Sequence, residues 1–215
     1  LLSYMFRVNY DYDSKYLLTV SGRWDGASQL ADGNKWAFFP SAALGWRIDQ
    51  ENFLKEVNWI NQLKLRFGVG MTGNSAIDPY QTKGAIVPMY YPFGNSLVPG
   101  YGASEPIAGG DASSITMANP DLTWERGIKY NAGIDMNMLN SRLSLSIDAF
   151  YEKRWDIITN TGGSDVVGIP DIFGKTSSYV NAGTVINRGF DLELGWNDRI
   201  GRNFNYYIRF NAGFA

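Results

Sequence analysis

The 215-residue chain contains no cysteine and no histidine. The first absence excludes a disulfide scaffold, a thiolate metal site and a cysteine nucleophile, and it suits a protein that crosses an oxidising compartment. The second removes the commonest general base and the commonest metal ligand. Charge of either sign is scarce in excess: 19 Lys and Arg face 21 Asp and Glu, a net charge of −2. No basic stripe for nucleic acid follows from that balance. Nor does any run approach the 18 or more apolar residues of a membrane helix. The richest stretch, Trp36 to Trp46, is broken by Pro40, Ser41 and Gly45. Mean hydropathy is −0.22, a water-soluble value on a hydropathy scan. Barrel strands escape such scans, because half of their residues are polar.

What the chain does have is aromatic residues, 15% of the total, and a polar–apolar alternation that recurs along most of its length. Phe190, Leu192, Leu194 and Trp196 fall on one face of an extended strand, and Asp191, Glu193 and Gly195 on the other, since side chains alternate with period two. A soluble sandwich would turn the apolar face to its core. A transmembrane barrel turns it to lipid and keeps the polar face on a wet lumen.

About eight strands follow from this pattern. They cover residues 2–12, 16–25, 36–48, 62–72, 123–138, 143–155 and about 182–197, with the last beginning near Phe204. Asp49 to Asn61 carries Phe53, Leu54, Val57 and Ile60 at helical spacing and predicts a short helix. Long Gly- and Pro-rich connections occupy residues 73–122 and 156–180, and short turns follow Tyr12, Met138 and Asn197. Bacterial outer-membrane barrels alternate short periplasmic turns with long outer loops in this way. Trp24, Trp36, Trp124 and Trp155 stand at the long-loop ends of strands, Trp46 and Trp196 at the short-turn ends, and Trp59 in the helical link. Two rows of rings at opposite strand ends suit two membrane interfaces, where amphipathic rings settle. A lumen keeps Asp11, Lys64, Arg66, Lys129, Asp135, Asp148, Asp191, Glu193 and Arg209 solvated and paired across strands. A dry core cannot.

Motifs for catalysis are weak. Gly68-Val69-Gly70-Met71-Thr72-Gly73 fits a dinucleotide-binding string, but a loop follows it where a helix should begin. Asp148 and Glu152 lie about 13 Å apart along a strand, too far for a glycosidase pair. Asp191 and Glu193, roughly 6–7 Å apart, are the spacing any lumen strand gives. No nucleophile elbow, P-loop, zinc or calcium pattern is present. The loop from Ala85 to Tyr101 offers Tyr90, Tyr91, Phe93 and Tyr101, whose ring faces suit stacking on a sugar, clamping an extended ligand or meeting a lid protein. Packing of the loop on its neighbours accounts for the same rings.

Several segments resemble the barrel of SusC-like TonB-dependent transporters of the Bacteroidetes outer membrane. They are Val8-Asn9-Tyr10-Asp11-Tyr12 with Lys15-Tyr16-Leu17-Leu18-Thr19, Arg23-Trp24-Asp25-Gly26-Ala27-Ser28, Phe39-Pro40-Ser41 with Gly45-Trp46-Arg47-Ile48, and Leu63-Lys64-Leu65-Arg66 leading to Thr72-Gly73-Asn74. Asn119-Pro120-Asp121-Leu122-Thr123-Trp124-Glu125 and Asn181-Ala182-Gly183-Thr184-Val185 with Asn187-Arg188-Gly189-Phe190-Asp191 complete the series, Asp191 standing where the family more often has Glu. The resemblance implies an all-β fold, a transmembrane antiparallel β-barrel of about 22 strands around a plug, of which residues 1–215 form a wall segment. On that reading the N-terminal plug domain, the TonB-contacting segment and the barrel ends lie outside the chain. It implies TonB-dependent import of an oligosaccharide or peptide across the outer membrane, a SusD-like lipoprotein as lid partner, TonB and outer-membrane lipid as further partners, and a dimer of transporter–lipoprotein pairs among the assemblies open to it. No cofactor, metal, nucleic acid or catalytic residue follows from it. A passive porin and a soluble glycan-binding β-sandwich share the strand pattern, as would a complete eight-stranded barrel.

Overall fold

A computed structural model describes residues 1–77, 79, 82, 85–94, 96–104, 119–160 and 179–215. The backbone forms β1 (Leu2–Tyr12), β2 (Tyr16–Gly26), β3 (Trp36–Arg47), β4 (Ile60–Asn74), β5 (Ala85–Phe93), β6 (Ser96–Ser104), β7 (Glu125–Met138), β8 (Leu143–Trp155), β9 (Ile158–Asn160), β10 (Tyr179–Asn181), β11 (Thr184–Ile200) and β12 (Phe204–Phe214). Eight of these make one antiparallel sheet in the order β1-β2-β3-β4-β7-β8-β11-β12, while β5 pairs with β6 and β9 with β10 in two small ribbons. The large sheet is open: among the described residues β1 and β12 each pair on one side only. The eight strands therefore do not close on themselves.

Local chemistry explains where the strands stop. Asp13 and Ser14 both take positive φ, 53° and 52°, the left-handed geometry that matches the twist of a tight hairpin. Asp11 Oδ1 accepts the Ser14 N–H at 2.8 Å and holds that turn. Leu139, Asn140 and Ser141 repeat the left-handed conformation between β7 and β8, and Gly201 does so between β11 and β12. The link after β3 departs from its expected helix. A 3-10 turn covers Ile48–Gln50, and three further turns follow, closed by Leu54 N–H to Glu51 O, Val57 N–H to Leu54 O and Ile60 N–H to Val57 O. Leu54, Val57 and Ile60 recur every three residues, which is the 3-10 period, and three- and four-residue spacings are hard to separate over so short a run. The connection between β4 and β7, expected as loop throughout, contains the β5–β6 hairpin. The Gly68–Gly73 string lies inside β4, and among the described residues no helix follows it.

Register places most of the long apolar side chains of the alternating runs on one face. Leu18 pairs with Leu44, Leu44 with Phe67, Phe67 with Ala132, Ala132 with Ala149, Ala149 with Phe190 and Phe190 with Phe214. Among the described residues no second layer covers this face. Phe67 is 54% exposed, Phe190 49% and Phe210 57%, far more contiguous apolar surface than a soluble monomer carries. Acyl chains are the solvent that suits it. Gly22 shows how tightly the rings tile it: a Cβ there would lie 2.6 Å from the Phe6 ring and 2.7 Å from that of Phe38.

Rings border the apolar band at both edges. At the short-turn end Tyr12, Tyr16 and Trp46 form a ladder with centroids 6.3 and 6.4 Å apart, and Trp196 Nε1 donates to the Tyr206 hydroxyl at 3.3 Å. At the long-loop end Tyr4 stacks on Trp36 at 6.2 Å and Trp24 meets Phe38 at 5.8 Å. From Tyr16 to Trp24 is about 26 Å of strand, or about 20 Å of height at the usual barrel tilt, close to the apolar band of outer-membrane barrels. Trp124 does not join either row. It is 3% exposed and packs inside the molecule.

An outward cation should test the two faces directly. Ile147→Arg is expected to destabilise the barrel by about 2–4 kcal/mol, whereas Asn211→Arg on the opposite face should cost little. Urea unfolding of the full-length protein in lipid vesicles measures both.

Candidate functional site: the inner wall and the loop roots

Two features on the polar face concentrate the chemistry of the chain. The first is a bridge of ions across the middle of the sheet. Hydrogen-bond register lines up Gly45, Arg66, Gly133, Asp148, Asp191 and Gly213 on successive strands from β3 to β12. Arg66 grips Asp135 in a two-point contact, Nε to Oδ2 at 2.6 Å and Nη2 to Oδ1 at 2.8 Å. The same Nη2 reaches over β7 to Asp148 Oδ2 at 3.0 Å. Gly133 makes that reach possible, since a Cβ there would lie 2.5 Å from Asp148 Oδ1 and 2.9 Å from Arg66 Nη2. Ser146 adds a hydroxyl to Asp135 Oδ1 at 2.9 Å, and Glu193 takes Arg209 Nε at 3.1 Å. All of these groups are partly open to water. Each pair therefore contributes at most about 1 kcal/mol, and the arrangement is a wet, charged wall rather than a buried core. Beside it a recess of about 340 Å³ is lined by Thr19, Gly45, Lys64, Arg66, Gly133 and Asp148.

The second feature is a small hydrophobic hub at the long-loop end. Ala27, Leu30, Ala37, Phe39, Leu122 and Trp124 are buried together, with Met71, Ile77, Ile158 and Tyr179 packed around them. Phe39 meets Trp124 edge-on at 5.5 Å, and its ring fills the space a Gly73 side chain would need. The indole of Trp124 donates to Lys35 O at 3.3 Å, which explains why this tryptophan is buried and absent from the outer rows.

Asparagines stitch the loop roots to this hub. Asn181 imitates a backbone partner for Thr123: its Oδ1 accepts the Thr123 N–H at 2.9 Å and its Nδ2 donates to Thr123 O at 2.8 Å. The same Nδ2 donates to Asp156 O at 2.9 Å. Asn119 donates to Tyr179 O at 2.8 Å while its Oδ1 accepts the Asp121 N–H at 3.0 Å. Asn34 donates to Asp121 O at 3.4 Å. Three long connections, 27–35, 75–124 and 156–183, thus share one base. At the edge of this region Asp25 is 3% exposed. Arg23 Nε donates to its Oδ2 at 2.6 Å, and its Oδ1 is buried with no hydrogen-bond partner among the described residues.

The sequence-based candidates meet this geometry unevenly. Lys64, Arg66, Asp135, Asp148, Asp191, Glu193 and Arg209 share the polar face as expected, and cross-strand pairing brings the last two and the Arg66 trio together. Tyr90, Tyr91, Phe93 and Tyr101 fall on the β5–β6 hairpin, where Tyr90 is opposite Pro99 and Pro88 opposite Tyr101. Their side chains lie outside the described residues. Sequence reading missed the asparagine clasp, although both motifs that contain it, Asn119 to Glu125 and Asn181 to Val185, stood out.

At the opposite end, the strap after β3 is tied to the ring ladder through Glu51. Its Oε1 accepts the Tyr16 hydroxyl at 2.6 Å and Trp46 Nε1 at 3.2 Å. These hydrogen bonds, the Tyr16 one foremost, hold the Glu51 carboxyl below its ordinary value, with help from Lys15 and Lys55. Partial burial opposes ionisation of Asp49, but the bonds from Arg47, Gln50 and the Leu63 N–H outweigh it and lower its pKa as well.

Comparison with known proteins fits this geometry. A sequence profile of the TonB dependent receptor-like β-barrel matches residues 3–215. TonB-dependent receptor SusC of Bacteroides thetaiotaomicron is 34% identical over 99% of the chain, and TonB-dependent receptor P26 of Formosa agariphila is 34% identical over 96%. The chain spans about a fifth of these relatives, 21% and 19% of their lengths. Among solved structures, the RagAB peptide importer in its open-open state superposes with a TM-score of 0.78 at 28% identity, covering 98% of this chain and 21% of that one. The siderophore receptor PirA of Pseudomonas aeruginosa shares the fold alone, with a TM-score of 0.57 at 14% identity.

The asparagine clasp and the strap each yield a measurable expectation. Asn181→Ala should free the loop roots, leave the strands intact and cost about 1–3 kcal/mol locally, read as faster amide exchange at Thr123, whose N–H loses its acceptor, and at Ala182, whose N–H bonds Ile157 O beside the clasp, with unchanged exchange in β7. Lowered carboxylate pKa values stabilise the strap above the ordinary carboxylate range, and that contribution is lost as pH falls through the lowered values. A spin label at Phe53→Cys should therefore gain mobility below about pH 4, and Glu51→Gln should flatten the step.

Proposed function

Because this chain belongs to the TonB-dependent receptor β-barrel family, we propose that it forms part of the wall of an active importer in the bacterial outer membrane. The relatives are receptors and transporters, and the chain is not an enzyme. The single observation that carries the reading is the division of solvents across one sheet: an uncovered apolar face between two rows of rings, and an ion-paired face behind it. A soluble glycan-binding sandwich has no use for the first, and it would bury those rings under a second layer.

In the whole protein, on this reading, further strands close the barrel around an N-terminal plug, and energy arrives from TonB. The eight strands of the large sheet act as a rigid wall. Loops rooted in the Trp124 hub shape the outer mouth, receive the cargo and meet a SusD-like surface lipoprotein. Tyr90, Tyr91, Phe93 and Tyr101 are the residues assigned to cargo or lid contact. The cargo class is a nutrient oligomer, oligosaccharide or peptide; likeness to an importer of peptides supports the second, and the SusC-like resemblance is compatible with either. A passive porin would share the wall but not the dependence on an energised inner membrane.

Deleting Ala85 to Tyr101 from the full-length protein is expected to abolish or strongly reduce uptake and lipoprotein co-purification, with the barrel still assembled on a heat-modifiability gel. Undiminished uptake would remove the assignment of this hairpin. Uptake that persists when an uncoupler collapses the proton-motive force would instead point to a porin.

A further inference from the structure

Charged residues of the eight-stranded sheet sort almost completely to the polar face. By register, four stand on the apolar face among the described residues: Arg126, Lys153, Arg188 and Asp198. Asp198 is at the short-turn end, paired with Arg142 at 3.3 Å. The other three are all cations, all at the long-loop end and all exposed. No side chain of the three has a hydrogen bond or ion pair to a described residue.

Their positions are not scattered. Arg126 is opposite Trp155 and thus diagonal to Lys153, and Lys153 is opposite Ile186 and thus diagonal to Arg188. Diagonal neighbours are about 7–8 Å apart, so the three charges follow one another across β7, β8 and β11. Each tops an apolar run. On β8 the outward side chains are Leu143, Leu145, Ile147, Ala149 and Tyr151 before Lys153. On β11 they are Trp196, Leu194, Leu192 and Phe190 before Arg188. The cations therefore mark the level at which acyl chains give way to headgroups on the outer side. Directly below them the apolar face is hollow. Ala132 and Ala149 are paired small residues, and with Phe67, Val69, Tyr130 and Tyr151 they border a groove of about 500 Å³. Arg188 is opposite Tyr151, at the lip of that groove.

We propose that Arg126, Lys153 and Arg188, with the groove over Ala132 and Ala149, seat a phosphorylated lipid of the outer leaflet. Three cations on a lipid-facing wall, with no counter-ion among the described residues, need an anion, and phosphate oxygens take paired hydrogen bonds from guanidinium groups. The groove below supplies the acyl half of the same ligand. This is a site on the outside of the barrel, separate from cargo and lid, and it holds whether or not the importer reading does.

The test uses the full-length transporter in nanodiscs of zwitterionic phospholipid, with lipid A bearing its phosphates as probe. Lipid retained per transporter after gel filtration is counted by mass spectrometry. Wild type should retain the phosphorylated probe in preference to the same lipid after phosphatase treatment. Retention should weaken about fivefold for each cation removed in the series Arg126→Gln, Lys153→Gln and Arg188→Gln. Ala132→Phe with Ala149→Phe fills the groove while leaving the charges, and should lower retention as well. Inorganic phosphate alone should not displace the probe. Equal retention of the phosphorylated and phosphatase-treated forms, or a triple Gln variant that binds as wild type does, overturns the site. Displacement by inorganic phosphate, or no effect of the groove-filling pair, overturns its two-part character. Unchanged heat-modifiable migration of every variant shows that the barrel has assembled.

Discussion

A strand surrounded by hydrocarbon has no water to satisfy its N–H and C=O groups, so each must find a partner in the sheet. That constraint governs everything else in this chain. It explains why β2, β3, β4, β7, β8 and β11 are paired on both sides, through ladders that run nearly the full strand length except between β3 and β4, where pairing covers Ser41–Arg47, why the tight turns adopt left-handed geometry to keep the register, and why departures such as the strap after β3 lie at the sheet's ends. With the ladder fixed, a period of two delivers one face to each solvent. The ring rows then fix the height at which the sheet sits in the membrane.

The inner wall shows what the second solvent permits. Arg66 spans three strands to reach Asp135 and Asp148, and Gly133 is small so that the guanidinium can lie across it. Such a network in a dry core would carry a desolvation cost of several kcal/mol per ion. Facing water it is cheap to maintain and leaves the wall polar along its length. Lys129 over Phe150 and Arg209 over Tyr207 are further cases of charge held on this face without burial.

Much of the sheet was legible in the amino-acid order. β1, β8 and the start of β12 coincide with the alternating runs, because a period of two depends only on neighbours along the chain. What could not be read depends on distant partners. Pro88, Pro92 and Pro99 read as breakers, yet they are tolerated in a two-stranded ribbon whose members are both edges. Trp124 precedes the first residue of β7, so strand parity did not apply to it, and its burial is decided by Phe39 and Leu30 far upstream. Asn181 finds Thr123 across 58 positions, a partnership no local pattern records. The candidate loop rings were legible only as a composition, and of the charged wall the members were evident but not the pairing.

The asparagine clasp separates anchoring from content. Asn181 and Asn119 hold their loops by bonding to main-chain atoms of Thr123, Asp156 and Tyr179, and main-chain atoms are the same whatever the side chain. Segments between those fastenings can accordingly be exchanged, lengthened or rewritten without redesigning the wall that bears them. A scaffold built in this way can acquire new ligands by replacing cassettes at its rim while the membrane-embedded staves stay as they are.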